Sequence, residues 1–387
     1  MPDRYLQDAA IVAAYQSAYS RSTSATPMEL LAESVIAVCR SVGLTPRDLD
    51  GLAVSSFQLG PDNVVSVAEH LGISLSWAWQ GAHGGASGVV SVQQAAEAIT
   101  LGRASAVVCV AADAFTVSSH VALLEGFNSG MRDYLAPYAF GGANGLFAMV
   151  ERAHRERFGT TREQLGNIAV SQRANAALNP NAVFRQPLTM EDYLGARLIA
   201  DPIRLYDCVL PCSGSDAVLM LSRQTAAAMN LPTIQVLAAG QKHNYLPLDV
   251  LSLTTGAAAY ASRLFETAAI LPGDLDFVQL YDDYPIMVLI QFEDLGFSEK
   301  GKGGAFVDRT NFGLDGDLPL NTGGGQLSAG QAGASGGMIG MTEAVTQMVG
   351  HAGDRQLKRA SRGLVSGFGM VGYGKGLSSA TVILERN

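Results

Sequence analysis

The sequence has few charged residues and little cysteine. Only 16% of its 387 residues are Asp, Glu, Lys or Arg, and the formal net charge is −9. It contains no basic run or basic–aromatic stripe, so nucleic acid is not an expected partner. Four cysteines in so long a chain are too few for a disulfide framework, and we therefore expect a cytoplasmic protein.

Several other signals are also missing. No apolar stretch is long enough to cross a bilayer, and the start of the chain lacks the basic and apolar segments of a signal peptide. The glycine-rich segments form neither a P-loop nor a dinucleotide fingerprint. Cys208 and Cys212 have no second cysteine pair or histidine nearby, so we expect no metal site and expect the cysteines to be buried and inert.

The sequence does contain an internal repeat. Three blocks recur in the same order, at offsets of 226, 248 and 256 residues. The blocks and their second copies are "LTPRDLDGLAVSS" (44–56) and "ILPGDLDFVQLYD" (270–282), "GASGVVSVQQAAEAI" (85–99) and "GASGGMIGMTEAVTQM" (333–348), and "GRASAVVCVAADA" (102–114) and "KRASRGLVSGFGM" (358–370). Two copies of one structural unit are the simplest explanation.

Each copy predicts alternating helices and strands. Apolar runs between helices are typical of a sheet that is covered on both faces, so we predict an α/β fold made of two halves, 1–230 and 231–387. Residues 115–206 interrupt the first copy and have no counterpart in the second. This region is expected to be a cap or loop inserted over a site, although a purely structural insertion fits equally well.

Three longer stretches carry a family resemblance. They are "FGTTREQLGNIAVSQRANAALNPNAVFRQPLTMEDYLGARLIADPIRLYDC", "LYDDYPIMVLIQFEDLGF" followed by "KGKGGAFV", and "LPLNTGGGQLSAGQAGASGG". Together they resemble the thiolase superfamily, close to its sterol-carrier-protein thiolase branch. The resemblance implies a five-layered αβαβα fold, a homodimer whose sheets join across the interface, and acyl-CoA substrates.

The residues expected to perform thiolase chemistry are absent. The family's nucleophilic cysteine belongs at Gly85 in Gly85-Ala86-Ser87-Gly88, and no cysteine follows Cys212 to act as the second one. Gln331 stands where the family has a histidine, and Tyr281 stands where it has asparagine or histidine. Because glycine has no nucleophile, ordinary thiolysis is not expected, but its N–H can still stabilise a thioester oxygen.

The same pattern resembles a group of bacterial aldolases that shorten steroid side chains. They share the glycine, the Leu280-Tyr281-Asp282 motif and "NTGGGQL" (321–327), but they carry a second functional tyrosine where this chain has Gln331. The resemblance implies retro-aldol cleavage of a β-hydroxyacyl-CoA, for example one with a steroid-like side chain, to a ketone and a shorter acyl-CoA. It also implies a small OB-fold, zinc-binding partner protein.

We therefore expect an acyl-CoA carbon–carbon lyase. It has no covalently bound cofactor, and coenzyme A arrives with the substrate. Two alternatives remain open: a thiolase-type acyltransferase that uses Claisen chemistry, and a non-catalytic subunit that binds acyl-CoA.

A retro-aldol cleavage needs a proton acceptor and N–H donors for the developing enolate. Tyr281 is the expected proton-transfer residue, although a packed ring with its hydroxyl bonded to the backbone would fit the same position. The expected donors and substrate-binding residues are Gly84, Gly85, Gly367, Gly369 and Asn321. For the glycines the alternative is a tight turn, and for Asn321 it is a bond within its own turn.

Further catalytic candidates are Gln331, His83, Asp282 and Tyr373. Gln331 could bind a substrate oxygen, His83 could equally be structural, and Asp282 could instead cap the helix that follows it. Tyr373 lies near the position of the missing second cysteine. In the inserted region, His120, Tyr134 and Tyr138 are candidates for lining a substrate channel.

Overall fold

The computed structural model describes residue 6 and residues 8–125, 127–138, 140 and 142–386. The β-strands of this part of the chain are β1 (Ala9–Gln16), β2 (Gly51–Ser55), β3 (Trp77–Gln80), β4 (Ala106–Ala114), β5 (Leu198–Ala200), β6 (Ile203–Arg204), β7 (Ser213–Ser222), β8 (Ile234–His243), β9 (Phe277–Gln279), β10 (Arg362–Gly372) and β11 (Lys375–Arg386).

The α-helices of the same residues are α1 (Pro27–Arg40), α2 (Val64–Leu71), α3 (Ser87–Thr100), α4 (Val117–Glu125), α5 (Ala143–Phe158), α6 (Arg162–Ala177), α7 (Met190–Gly195), α8 (Arg223–Ala228), α9 (Ala261–Ala268), α10 (Pro285–Asp294), α11 (Gly303–Arg309), α12 (Gly325–Ala329) and α13 (Ile339–Val349). The local sequence explains where several of these helices begin. Thr26 and Glu29 form a capping box at the start of α1, with Pro27 at its first position. None of these helices combines the length and apolarity needed to cross a membrane.

The main sheet shows the duplication directly. Its strand order is β3-β2-β4-β7-β1-β8-β11-β10-β9, and the two halves meet where Ile11 of β1 pairs with Ile234 of β8. The first half reads β3-β2-β4-β7-β1 from its outer edge. The second reads β9-β10-β11-β8, with a parallel bridge between Val278 and Leu320 in the place of a fifth strand. The predicted repeat is therefore confirmed.

Helices cover and separate the two halves of the sheet. Helices α3 and α13 contact strands from both halves, α1 packs on the outer face of the first half, and α9 packs on β8 and β11 of the second. Strand β4 shows how this arrangement reads in sequence: Val107 and Cys109 face the central apolar core, and Val108 and Val110 face the outer one. Because both faces are covered, the strand is apolar from Ala106 to Ala112. This is the predicted αβαβα layering.

The two halves differ in one connection. In the second half β10 and β11 are joined by a tight turn of Tyr373 and Gly374. In the first half the corresponding strands, β4 and β7, are separated by residues 115–212, whose described part contains α4, α5, α6, α7 and the β5–β6 pair. The inserted region is thus mostly helical rather than a loop. It also runs past residue 206, because β7 begins only at Ser213.

The two repeated glycine turns pack backbone against backbone. They precede α3 and α13, and a Cβ on Gly337 would lie 2.6 Å from the carbonyl oxygen of Gly85. A Cβ on Gly88 would overlap the Gly337 carbonyl oxygen. Glycine is required at these positions because any side chain would push the two turns, and the halves that carry them, apart.

Candidate active site

A cavity of about 320 Å³ lies where the first glycine turn meets the inserted region. Its lining includes two groups of residues with different origins. The core wall comes from the repeated units and consists of Gly84, Gly85, Tyr281, Asp283, Gln331 and Gly369. The insertion wall comes from α4 and the segment after it and consists of Val117, His120, Val121, Leu123, Phe127 and Met131. Later parts of the inserted region add polar residues elsewhere in the lining, namely Asn144, Arg197 and Cys208. The volume lies in the range of small-molecule sites, so substrate binding is possible here.

The ring of Tyr281 occupies the space next to Gly85. A Cβ on Gly85 would overlap the Cε2 and Cζ atoms of Tyr281 and the carbonyl oxygen of Phe368. A cysteine at position 85 and the tyrosine ring in this position therefore exclude one another. The glycine at the family's nucleophile position and the tyrosine in the second half of the chain form one structural feature.

Hydrogen bonds fix both the N–H and the carbonyl group of Tyr281. Its N–H donates to Ser366 Oγ at 3.0 Å, and its carbonyl accepts from Gln291 Nε2 at 2.7 Å. Burial raises the pKa of the hydroxyl, and the Asp283 carboxyl raises it further, while the side chains of Gln326 and Gln331 lower it. At neutral pH the phenol therefore keeps its proton. This geometry suits Tyr281 to donate a hydrogen bond, and it makes Tyr281 a poor base.

Asp283 is a site residue that the sequence reasoning missed. Its carboxyl is buried, it lines the cavity, and its Oδ1 has no hydrogen-bond partner among the described residues. Burial raises the pKa of Asp283 well above its usual value, and the neighbouring Asp282 raises it further. The signal was present in "YDDY": in extended backbone, alternate residues share one side, so Tyr281 and Asp283 both face the cavity.

Asp282 points the other way and caps a helix. Its two carboxylate oxygens accept the N–H groups of Gln326 (2.9 Å) and Leu327 (3.2 Å) in α12. Burial raises the pKa of Asp282, and the two N–H donors lower it; the net effect is a pKa of about 6. Capping is thus its role. The capped helix, however, is α12, which lies far along the chain, and not the following helix α10.

Asn321 acts on the backbone beside the site. Its side-chain amide bonds Leu280 in both directions: Oδ1 accepts the Leu280 N–H at 2.8 Å, and Nδ2 donates to the Leu280 carbonyl at 2.9 Å. Asn321 does not line the cavity. The prediction that it binds substrate is therefore replaced by a positioning role, because it fixes the residue that precedes Tyr281.

The predicted glycines have two different roles. Gly84 and Gly85 begin a helical turn, where N–H groups lack partners within the helix, and in the described structure neither N–H has another acceptor. Gly369 lies against them, since a Cβ there would overlap the Gly85 nitrogen. Gly367 does not line the cavity; its Cβ would lie 2.8 Å from the Ala86 Cα. Gly367 is needed for packing rather than for substrate binding.

Gln331 lies in the core wall, as predicted for a residue that contacts substrate. Its main chain is fixed to the end of the inserted region, because its N–H donates to the Leu210 carbonyl at 2.8 Å and its carbonyl accepts from Cys212 at 3.0 Å. Its Oε1 is buried and has no partner in the described part of the chain. The amide is thus available to a substrate oxygen or N–H group.

Two other candidates lie outside the cavity. The ring of His83 stacks on Trp79 at 6.0 Å and lies 4.8 Å from the ring of His243. Burial and His243 lower the pKa of His83. Tyr373 is 43% exposed at the tip of the β10–β11 turn, with φ of 53°. The structure does not bring either residue to the cavity that Tyr281 lines.

The inserted region contributes one of its three predicted channel residues. His120 is buried and lines the cavity, whereas Tyr134 and Tyr138 are exposed. Cys208 also lines the cavity and is only half-buried, contrary to the expectation that every cysteine is buried. Burial raises the pKa of the Cys208 thiol to about 12, with Asp207 and Glu151 adding to the effect, so it is a weak nucleophile. The described residues contain no cluster of three or more metal-ligating side chains.

Known proteins match this chain over most of its length. The family model "Thiolase C-terminal domain-like" matches residues 240–386. A steroid side-chain-cleaving aldolase from Thermomonospora curvata is 32% identical over 355 residues, which are 87% of this chain and 89% of the relative. The 17-hydroxy-3-oxo-4-pregnene-20-carboxyl-CoA lyase of Mycobacterium tuberculosis is 31% identical, over 88% of this chain and 92% of the relative.

The structural match is equally broad. The solved "Ltp2-ChsH2(DUF35) aldolase" superposes with a TM-score of 0.84 and 30% identity, and the match covers 98% of each chain. The resemblance seen in the sequence is thereby confirmed. This chain belongs to the thiolase superfamily, in the sterol-carrier-protein thiolase-like branch that includes the aldolases and lyases named above.

Proposed function

We propose that this protein cleaves a β-hydroxyacyl-CoA by a retro-aldol reaction, releasing a ketone and a shorter acyl-CoA. One observation carries the proposal: Tyr281 fills the space beside Gly85 that a cysteine nucleophile would need. The Gly84 and Gly85 N–H groups, which have no acceptor among the described residues, support it. The aldolase and lyase named above support the reaction type, and their names support a steroid-like side chain.

The residues of the core wall suit the individual steps. Asp283 takes the proton from the β-hydroxyl, and the Cα–Cβ bond breaks as the ketone forms. The electron pair of that bond moves into the thioester, which becomes an enolate. The Gly84 and Gly85 N–H groups and the Tyr281 hydroxyl donate hydrogen bonds to the enolate oxygen. The proton from the hydroxyl then returns to Cα, so no co-reactant is consumed.

The choice of Asp283 as the base follows from its environment. A base works best when its pKa lies near the operating pH, and burial moves the pKa of Asp283 upward from its usual value. The Tyr281 phenol is neutral at neutral pH and would have to lose a proton at an unfavourable pKa. This reverses the role expected for Tyr281 from the sequence, and it makes the tyrosine the donor.

The assembly and its surroundings follow the same relatives. A small OB-fold, zinc-binding partner is our proposal, supported by the two-component name of the structurally similar aldolase. Strand β3 is one of the two edge strands of the described sheet, and its edge suits the proposed homodimer. Coenzyme A would arrive with the substrate, and the exposed Arg197 beside the cavity could meet its phosphates. The cytoplasmic location stays a prediction.

Product analysis tests this proposal. The purified full-length chain, alone and with its partner, is incubated with a β-hydroxyacyl-CoA, and ketone and free CoA are measured. We expect ketone without consumption of CoA, and we expect Tyr281→Phe to lower kcat by about 10²–10³-fold, because an enolate donor is lost. The matched control is Tyr260→Phe, which removes a partly buried hydroxyl bonded to Thr381 at 3.0 Å outside the cavity and should leave kcat unchanged.

Two results would contradict the proposal. A requirement for free CoA, or a covalent acyl adduct on the chain, would indicate acyltransfer. Turnover by the assembled complex that is unaffected by Tyr281→Phe would indicate a non-catalytic, scaffolding subunit.

A further inference from the structure

The insertion wall is almost entirely apolar. Helix α4 contributes Val117, Val121 and Leu123, and the segment after it contributes Phe127 and Met131. A wall of this kind favours hydrocarbon and penalises the amide-rich, charged coenzyme A chain. On the proposed function, the ketone-forming half of the substrate therefore lies against this wall.

His120 is the polar side chain that α4 adds to this wall. The residue is 8% exposed, and its Nδ1 is buried without a hydrogen-bond partner in the described residues. Burial lowers the pKa of His120 to about 4, so the ring is neutral at neutral pH and is a weak base. A neutral imidazole offers one donor and one acceptor. A buried polar atom with no partner costs free energy until something bonds it.

The position of the ring is fixed relative to the glycine turns. Phe115 meets His120 edge-to-face, with ring centroids 5.3 Å apart and an interplanar angle of 89°. On its other side Phe115 is packed against Gly333, where a Cβ would lie 2.6 Å from its Cε2 atom. One aromatic ring thus separates His120 from the second glycine turn. His120 belongs to the insertion wall, whereas the groups that act on the breaking bond belong to the core wall. We therefore infer that the hydrogen-bond partner of His120 is a substrate atom away from that bond.

We propose that His120 is a specificity-determining residue that hydrogen-bonds a hydroxyl or ketone oxygen on the ring system of the ketone-forming half of the substrate. This inference rests on the proposed function and narrows its substrate class to apolar ring systems that carry one additional oxygen. A ring system without that oxygen leaves Nδ1 unpaired and binds less well.

The test measures binding rather than turnover. The full-length protein is titrated by calorimetry with 5α-androstan-17-one and with derivatives that carry one more hydroxyl or oxo group on ring A, B or C. We expect at least one derivative to bind about tenfold more tightly than the parent ketone. His120→Leu should reduce this preference to less than about twofold, and His120→Gln, which keeps a donor and an acceptor, should retain most of it.

Val121→Ala is the matched control. This substitution removes apolar contact from the same helix. It should therefore weaken the binding of all the ketones by a similar factor and leave the ratio of their dissociation constants unchanged. Thermal unfolding of each variant shows whether it is folded. The inference is overturned if no derivative is preferred by the wild type, or if His120→Leu keeps the preference.

The cleavage assay separates the two proposals. If the protein cleaves a β-hydroxyacyl-CoA but its preference for ketones with an additional ring oxygen does not depend on His120, the proposed function is supported and the proposed role of His120 is wrong. A His120-dependent preference without cleavage removes the retro-aldol function and retains recognition of the ring oxygen.

Discussion

The two glycine turns have the same sequence, Gly-Ala-Ser-Gly, and differ in what contacts them. In the second turn a protein carboxylate fills the space: Asp113 Oδ2 accepts the Ala334 N–H at 2.7 Å, and its Oδ1 accepts from Ser56 Oγ at 2.7 Å. In the first turn Gly84 and Gly85 line a cavity, and their N–H groups have no acceptor among the described residues. A protein carboxylate thus occupies the second turn, although its Gly333 also lines the cavity, and the first turn is left for a ligand.

A single residue pair in the repeat accounts for this difference. Asp113 and Gly369 hold the same place in the repeated blocks 102–114 and 358–370. A Cβ on Gly333 would overlap the Asp113 carboxylate, and a Cβ on Gly369 would overlap the Gly85 nitrogen. Each position thus reaches the glycine turn of the other half. The aspartate makes one turn structural, and the glycine keeps the other turn available for chemistry.

The strand ends show the same division. The first copy ends with Ser55 and Ser56, followed by Phe57, where the second has Tyr281, Asp282 and Asp283. Phe57 and Gln58 donate their N–H groups to Asp113, each at 3.0 Å. The first strand end is therefore bound to Asp113 and gives the cavity only the side chain of Phe57, whereas the second gives it Tyr281 and Asp283.

The largest effect is expected from closing the open turn. Gly369→Asp adds a Cβ that would overlap the Gly85 nitrogen, so the first glycine turn must shift away from the position that binds the enolate oxygen, and the added negative charge repels the enolate. Because two donors are lost, at about 10²–10³-fold each, we expect kcat/KM to fall by about 10⁴-fold or more. Gly273→Asp, at a position with open space, is the matched control. If a folded Gly369→Asp protein keeps its activity, the first glycine turn does not need to be unoccupied, and the difference between the two turns has no functional meaning.

A smaller loss is expected from Asp283→Asn. The wild-type kcat/KM should rise with pH as Asp283 loses its proton, with a midpoint above the ordinary aspartate value, because burial raises the pKa of this carboxyl. The variant should lose about 10²–10³-fold in kcat and should no longer show this rise. Asp282→Asn, which alters the cap of α12, should keep the rise with its midpoint at a lower pH, because the Asp282 charge no longer raises the pKa of Asp283. An unchanged profile in Asp283→Asn would assign the base elsewhere.

The smallest effect on activity is expected from Asp113→Asn, which loosens the closed turn. We expect kcat/KM to stay within about threefold and the free energy of unfolding to fall by about 1–3 kcal/mol, because one amide cannot accept from all the donors. Burial raises the pKa of Asp113 from 3.8 to about 6, so between these values the folded chain holds a proton that the unfolded chain has released. Stability therefore falls as pH rises through this window, and the variant lacks this contribution.

Urea denaturation across the same pH window, with the wild type and Asp113→Asn side by side, measures this contribution to stability. A loss of activity as large as that of Gly369→Asp would show that both turns serve the reaction.

Much of the site was accessible from the repeat and the family motifs. Gly85, Tyr281 and Gln331 were placed in one site by motif position, and the structure brings them together. Asp283 was missed because the sequence does not show that Asp282 caps α12, which leaves Asp283 as the carboxyl that lines the cavity. Tyr373 was misplaced for a related reason: it was near the missing cysteine in sequence, but the tight β10–β11 turn directs it to the surface.

The sequence by itself determined the duplicated α/β fold, because order-preserving repeats and apolar strand runs depend only on local pattern and on burial of both sheet faces. It also determined that no cysteine stands at the first glycine turn. Only the tertiary structure decided which turn is open, which carboxyl is unpaired among the described residues and which histidine faces the cavity. Those properties depend on contacts between residues far apart in the chain, where one side chain either fills a space or leaves it to a ligand.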